Sequence, residues 1–402
     1  MPPQEEAEDE EFRKQLRAAY MKCARICPDR ALAFVCVTLS SLEQPLAALP
    51  FFEVECALRF VFHFSEGVGS AHQSLVTTDP FRGLVVALHQ SDITQHPHAH
   101  VLSLYYELAV RYIKLVRDEP AALRAVLEAM CGSRGLQHTS PMLRSRACYF
   151  LLRMIKVMGP SLGGYVESIV ARVQGLMHAD PAVTGLCESD SLQLFETMGS
   201  LVGLSSIPPV QQGAFLDVVL SPHLVHIEET MRVQAAAAGR APPLPPVDGC
   251  GEQIALSIAA VANVCKGFTR TRTELQPIFT RVAQAALAVL TGFPAEPTVR
   301  SKTVFLVHRL IVCLGQALFP FLQPILDPLM RHCDSKDLLE VVQLANQLCI
   351  SFQDRMITVL DPCLVPFLGR FFELMPALSS INGRGRELVA PHEEIERASV
   401  QV

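Results

Sequence analysis

A fifteen-residue pattern of this chain occurs twice: residues 141–155 read PMLRSRACYFLLRMI, and residues 297–311 read PTVRSKTVFLVHRLI. Pro, Arg, Ser, Arg and Ile recur identically at 141/297, 144/300, 145/301, 153/309 and 155/311, while Arg146/Lys302, Tyr149/Phe305 and Met154/Leu310 keep their chemistry. A proline at the start suits the first turn of a helix, where no backbone N–H is needed and φ is already set. On a 3.6-residue helix, Leu143, Ala147, Phe150, Leu151, Met154 and Met158 fall on one apolar stripe. A stripe of that kind cannot be buried by its own helix, so its recurrence predicts like units stacked on one another.

The rest of the chain supports this. Helical periodicity is nearly continuous, punctuated by Pro, Gly and short polar clusters, and strand alternation is missing. The spacing predicts helices over about residues 10–26, 28–43 and 48–66, then a Gly/Ser/His loop at 67–74. Pairs follow at about 79–91 and 98–116, 119–131 and 139–158, 161–178 and 188–204, 209–237 and 250–268, 274–292 and 297–315, and 317–333 and 335–351, with a last helix at 358–376. The second helices start mostly 40 to 50 residues apart, the period of HEAT and armadillo units. The predicted fold is therefore all-α, a HEAT-repeat α-solenoid of antiparallel helix pairs over residues 12–376. Residues 1–11 are expected to be a disordered acidic start, and 377–402 a loop and a truncated helical tail. One longer step contains AAAAGRAPPLPPVD at 235–248, a Pro-rich connector that suits an extended loop better than a ligand for a proline-recognising domain.

Charge limits the partners. The net charge of -6 comes from six acids within residues 5–11; without them 34 acids face 34 basic residues. A neutral body does not suit a protein that coats DNA, so a nucleic-acid partner must meet a local basic surface. Thirteen cysteines, an odd number scattered singly at places such as Cys36, Cys148, Cys265, Cys313 and Cys349, suit small core residues of a reducing compartment. The start is acidic where a signal peptide would be basic. The longest apolar run, residues 254–264, falls far short of the roughly 20 residues a membrane span needs, so no membrane insertion is expected.

Catalytic motifs are missing: there is no G-x-x-x-x-G-K-[ST], no G-x-S-x-G and no H-E-x-x-H. His89, His96, His98 and His100 could hold a metal if extended, but with Pro97 as a helix starter they suit an exposed inter-helix loop better. Neither an enzyme nor a cofactor or metal site is predicted.

The basic flank of the repeat carries the functional expectation. Arg146 and Arg153, seven apart, lie beside the apolar stripe, and Lys302 and Arg309 repeat them. Such residues either pair with acids within the stack while their stems cover core, or line a track for phosphates on consecutive second helices. Arg144, Arg146, Arg153, Lys156, Arg300, Lys302 and Arg309 are the candidate contacts.

Several blocks carry a family likeness. FRKQL at 12–16, FFEVECALR at 51–59, RGLQHTS at 134–140 followed by Leu143-Arg144-Ser145-Arg146, LFET at 194–197, FLVHRLIVCL at 305–314 and SKDL at 335–338 are collinear from about residue 10 to 376. Together they resemble the tRNA exportins of the importin-β (karyopherin) superfamily. That resemblance implies a nuclear export receptor that binds mature tRNA together with Ran-GTP, passes nuclear pore proteins and releases its cargo in the cytoplasm, shuttling between the two compartments. It also implies a monomer without cofactor. In that family the FRKQL-like segment lies inside a longer chain, after repeats that supply the principal Ran contacts, so this sequence reads as a central fragment. A generic HEAT-repeat scaffold for proteins and an enzyme built on the histidines at 89–100 are the alternatives.

Overall fold

Proline and glycine mark where the helices begin and end. In a computed structural model, which describes residues 3–42, 45–177, 184–238 and 249–384, eighteen α-helices follow one another. They are α1 (Pro3–Ile26), α2 (Pro28–Ser40), α3 (Phe51–Gly67), α4 (Ser74–Thr77), α5 (Phe81–Gln90), α6 (Ala99–Arg111), α7 (Ile113–Arg117), α8 (Pro120–Cys131) and α9 (Pro141–Met158). Then come α10 (Val166–Met177), α11 (Glu188–Val202), α12 (Pro209–Ala238), α13 (Cys250–Cys265), α14 (Gln276–Gly292), α15 (Pro297–Leu314), α16 (Phe319–His332), α17 (Leu338–Phe352) and α18 (Ile357–Arg384). No strand occurs among the described residues.

The chain divides into two units, Met1–Phe215 and Leu216–Val402. In the first, α1, α3, α6, α9 and α11 pack in succession as one row, and α2, α5, α8 and α10 form the second. In the second unit, α13, α15 and α17 form one row and α14, α16 and α18 the other. This is the two-row stack of a HEAT-type solenoid, each helix burying its stripe against the units before and after it.

The repeated helices show why the stripe recurs. Leu143, Ala147, Phe150, Leu151, Met154 and Met158 are all buried, as are Val299, Val304, Leu306, Val307, Leu310 and Leu314 in the second copy. Each fully buried Leu, Val, Phe or Met contributes about 1.5–3 kcal/mol relative to exposure. By length and composition the stretch Pro297–His332 could cross a membrane, its most apolar 18-residue window reaching a mean hydropathy of 1.8. It is broken at Gly315 into two helices, and most of their Val, Leu and Ile side chains are buried in the second unit, while Phe305, Phe319 and Phe321 are partly covered.

Both copies span 18 residues, start with proline and stop at a glycine with positive φ, Gly159 (φ 49°, ψ -126°) and Gly315 (φ 54°, ψ -127°). A side chain is strained there because its Cβ crowds the neighbouring carbonyl. After α17 the same conformation is taken by Gln353 (φ 51°, ψ -133°). Gln353→Gly is therefore expected to stabilise the second unit by about 1 kcal/mol, the relief of left-handed strain less the entropy of glycine. A thermal melt checks this; an unchanged or lower midpoint would show the site to be unstrained.

Three expectations change. Helix α1 begins at Pro3, so the acidic start is helical from Pro3 rather than disordered. Glu and Ala are good helix formers. The loop expected at 67–74 is short and holds a 3-10 turn (Ser70–His72) leading into α4. Helix α18 continues to Arg384, past the expected end at 376. Of the Pro-rich connector, residues 235–238 close α12 and 239–248 lie outside the described residues, as do 385–402. Cys148, Cys265 and Cys313 are buried as expected, whereas Cys36 and Cys349 are only partly covered.

Candidate nucleic-acid interface

The seven candidate cations separate into two groups. Arg144 and Arg300, the repeat's first arginine, are buried at 8% and 2% relative exposure. Arg144 donates from Nη1 to the carbonyls of His138 (2.7 Å) and Thr139 (3.0 Å) and from Nη2 to that of Gly185 (2.5 Å). Arg300 donates to Pro294 O (3.2 Å), Asp334 Oδ2 (2.9 Å) and Asp337 Oδ2 (2.5 Å). Each therefore ties the loop before its own helix to the loop before the next helix of its row. Space is tight at the first joint, where a Cβ on Gly185, whose φ is +64°, would stand 2.7 Å from Arg144 Nη2. Both guanidinium groups are thus engaged by carbonyls and carboxylates in the core rather than facing solvent, unlike the other five candidates.

The other five lie at the surface of α9 and α15. Arg146, Arg153 and Lys156 are exposed on α9, and Lys302 and Arg309 are half-buried on α15. In the first unit an ion-pair ladder joins adjacent helices of the α1–α11 row: Arg13–Glu55 (3.3 Å), Arg17–Glu66 (2.9 Å), Arg111–Glu66 (2.8 Å), Arg146–Glu107 (3.5 Å) and Lys156–Glu196 (2.5 Å). Burial alone would raise the pKa of Glu66, but His63, Arg111 and Arg17 outweigh it and hold the carboxyl below its ordinary value. The ladder's arginines at 13, 17 and 111 escaped the sequence reading, because no repeated motif marks them and their partners lie 42 to 49 residues away.

Arg153 differs from its neighbours. It donates to Tyr149 Oη (3.1 Å) with its guanidinium 5.7 Å from that ring's centre, and no carboxylate pairs with it among the described residues. Arg309 repeats this at 5.2 Å from the Phe305 ring, and its Nε is buried with no hydrogen-bond partner among the described residues. Lys266 Nζ also lies 5.2 Å from Phe305, so two cations flank that ring. Arg309 and Lys302 likewise have no carboxylate partner among the described residues. The repeat thus preserves a cation on an aromatic face, a contact that holds the side chain while leaving its charge uncompensated.

The histidines do not form one exposed loop. His89 and His96 are buried. His89 Nδ1 lies 2.8 Å from Val85 O, and burial lowers its pKa to about 4. Among the described residues no cluster of His, Cys, Asp or Glu is placed to hold a metal ion.

Comparison with known proteins follows the same outline. The structure is similar to that of Importin13 in its cytosolic state, with a TM-score of 0.58 and 12% identity over 91% of this chain and 46% of the other. That likeness shows the solenoid fold. Exportin-T of Danio rerio is 26% identical over 387 residues, covering 92% of this chain and 40% of the relative. Exportin-T of Mus musculus is 27% identical over 391 residues with the same coverage, and Exportin-T of Arabidopsis thaliana 26% over 386 residues, covering 93% and 38%. The chain thus spans about two fifths of these relatives' length. The family model for Exportin-T matches residues 2–383, nearly the whole stack of helices just described, and the chain belongs to the Exportin-T family.

Proposed function

We propose that this chain carries tRNA-binding repeats of a nuclear export receptor. It binds folded tRNA cooperatively with Ran-GTP, passes nuclear pore proteins and carries its cargo from nucleus to cytoplasm, acting as a monomer by binding and release without covalent chemistry, cofactor, DNA or membrane insertion. The contacts are Arg146, Arg153, Lys156, Lys302 and Arg309, with Arg144 and Arg300 bracing the helices that present them. The observation that carries this reading is the repeated pairing of a cation with an aromatic face, without a carboxylate partner among the described residues, in a chain of this family. Cations held in this way meet backbone phosphates with charge-assisted bonds, and tRNA is recognised by folded shape rather than by sequence. Ran-GTP and tRNA then favour each other through a coupling free energy between two sites.

The test is a tRNA titration across salt, with and without Ran-GTP. Binding should weaken steeply with salt and tighten with Ran-GTP; the absence of salt-sensitive tRNA binding under both conditions would sink the reading. A protein scaffold is the second reading. It is favoured by a groove of about 600 Å³ between α1 and α3, lined by Phe12, Leu16 and Phe52 and rimmed by Arg13, Arg17 and Arg59. It expects peptide binding and no tRNA binding.

A further inference from the structure

Three rings form a stack at the start of α3 and α6. Phe51 and His98 lie 4.0 Å apart between centroids with planes 10° from parallel, and His98 and His100 lie 5.4 Å apart at 26°. Phe52 stands edge-on to Phe51 at 6.0 Å. The stack is open to solvent, with Phe51 41% and Phe52 58% exposed and His100 exposed beyond them.

The loops beneath the rings are tied down. Buried His96 lies with Nε2 3.2 Å from Leu49 O, and its Nδ1 accepts the His98 N–H at 3.0 Å, which places the ring proton on Nε2. The Asp92 carboxylate accepts Leu46 N–H (3.0 Å) and Ala47 N–H (3.2 Å). Both contacts bind the segment before α3 to the segment before α6. His98 Nδ1 is buried with no hydrogen-bond partner among the described residues, so stacking sets its ring plane.

Two neighbouring features favour an anion beside the rings. The carbonyl of His98 accepts from Val101 and Leu102, which places the N–H groups of Ala99 and His100 in the unbonded first turn of a 13-residue helix. Arg134 donates to Gln95 Oε1 at 2.7 Å, putting a guanidinium beside the same loop. An open aromatic stack next to anion-favouring groups suits an unpaired nucleotide, whose base extends the stack while its phosphate meets the helix start.

We infer that Phe51, His98 and His100 form a stacking platform for an unpaired nucleobase of single-stranded RNA, with the base seated on the outer face of His100. This deepens the tRNA reading and rests on it for the source of the base, since a folded tRNA carries unpaired nucleotides as well as helical arms. It adds a contact of a different kind from the phosphate-binding cations of α9 and α15.

The probe is an eight-nucleotide single-stranded RNA containing 2-aminopurine, compared with an RNA duplex of equal length, on the full chain. Quenching of 2-aminopurine is expected on binding the single strand. His100→Ala should remove the quenching and weaken the single strand about fivefold or more, leave the duplex unchanged, and keep the thermal midpoint; His100→Phe should restore binding. Equal weakening of single strand and duplex would overturn the platform. So would binding without quenching, or a Phe-containing peptide displacing the RNA from an unquenched complex. The two readings fail separately. Quenching abolished by His100→Ala in a protein that ignores folded tRNA would leave the platform and sink the export reading. Salt-sensitive tRNA binding without quenching would do the reverse.

Discussion

Arg300→Ala is expected to destabilise the second unit by about 3–5 kcal/mol, the cost of leaving buried charge unpaired, and to lower its melting midpoint by roughly 10 °C. The guanidinium is 2% exposed and bonded to Asp337, itself 4% exposed, and to Asp334. Removing it strands the Asp337 carboxylate in the core. Arg300→Lys should recover little, because one ammonium group cannot reproduce a planar fork directed at two carboxylates and a carbonyl. Arg300→Met combined with Asp337→Leu should lose much less than Arg300→Ala, since it removes both buried charges while keeping volume. A double variant as unstable as the single one would show that packing around Arg300, rather than its charge, holds the joint.

The joint also has a pH signature. Burial raises the pKa of Asp334, but hydrogen bonds from the Lys336 and Asp337 amides and the Arg300 charge outweigh it, so the net shift is downward. A depressed carboxyl contributes its stability fully above the unfolded value, about 4 for Asp. That contribution is lost as pH falls through the lower folded value. Acid melts of the wild type should therefore lose stability below about pH 4. Arg300→Ala should show less of that loss.

The second large effect concerns RNA. Replacing Arg146, Arg153, Lys302 and Arg309 together with glutamine should weaken tRNA binding by at least about tenfold at low salt. It should also flatten the dependence of log K on log salt by roughly three, near 0.7–0.9 for each phosphate that is no longer neutralised. The melting midpoint should move only a few degrees. Arg146 is half-exposed and its pair with Glu107 spans 3.5 Å, so that pair contributes about 0–1 kcal/mol. An unchanged tRNA affinity with a large fall in midpoint would assign all four to bracing the stack.

Most of the architecture was legible because its signals are local. Pro141 and Pro297 start helices where expected, and the apolar stripe predicted for α9 is buried at every position. The acidic start misled because charge density suggests disorder, whereas Glu and Ala are also good helix formers. The histidines at 96–100 misled in the other direction. Pro97 as a helix starter suggested an exposed loop, yet His96 is buried, its ring meeting the Leu49 carbonyl, 47 residues earlier. The ring stack itself had no sequence signal, since Phe51 and His98 belong to different helix pairs.

The repeated arginines mark the boundary most clearly. Sequence alone established that Arg144 and Arg300 are equivalent, and so are Arg153 and Arg309, because a repeat conserves position on the helix. Whether each faces the core or solvent was decided only by tertiary structure. Asp334 and Asp337, 34 and 37 residues beyond Arg300, draw that guanidinium inward, and Gly185, 41 beyond Arg144, does the same. Arg153 and Arg309 meet no such partner among the described residues and stay on their aromatic faces. Helical periodicity is set by neighbours within a turn, whereas the side on which a charge is satisfied depends on groups that only the stacking of successive helix pairs brings within hydrogen-bond distance.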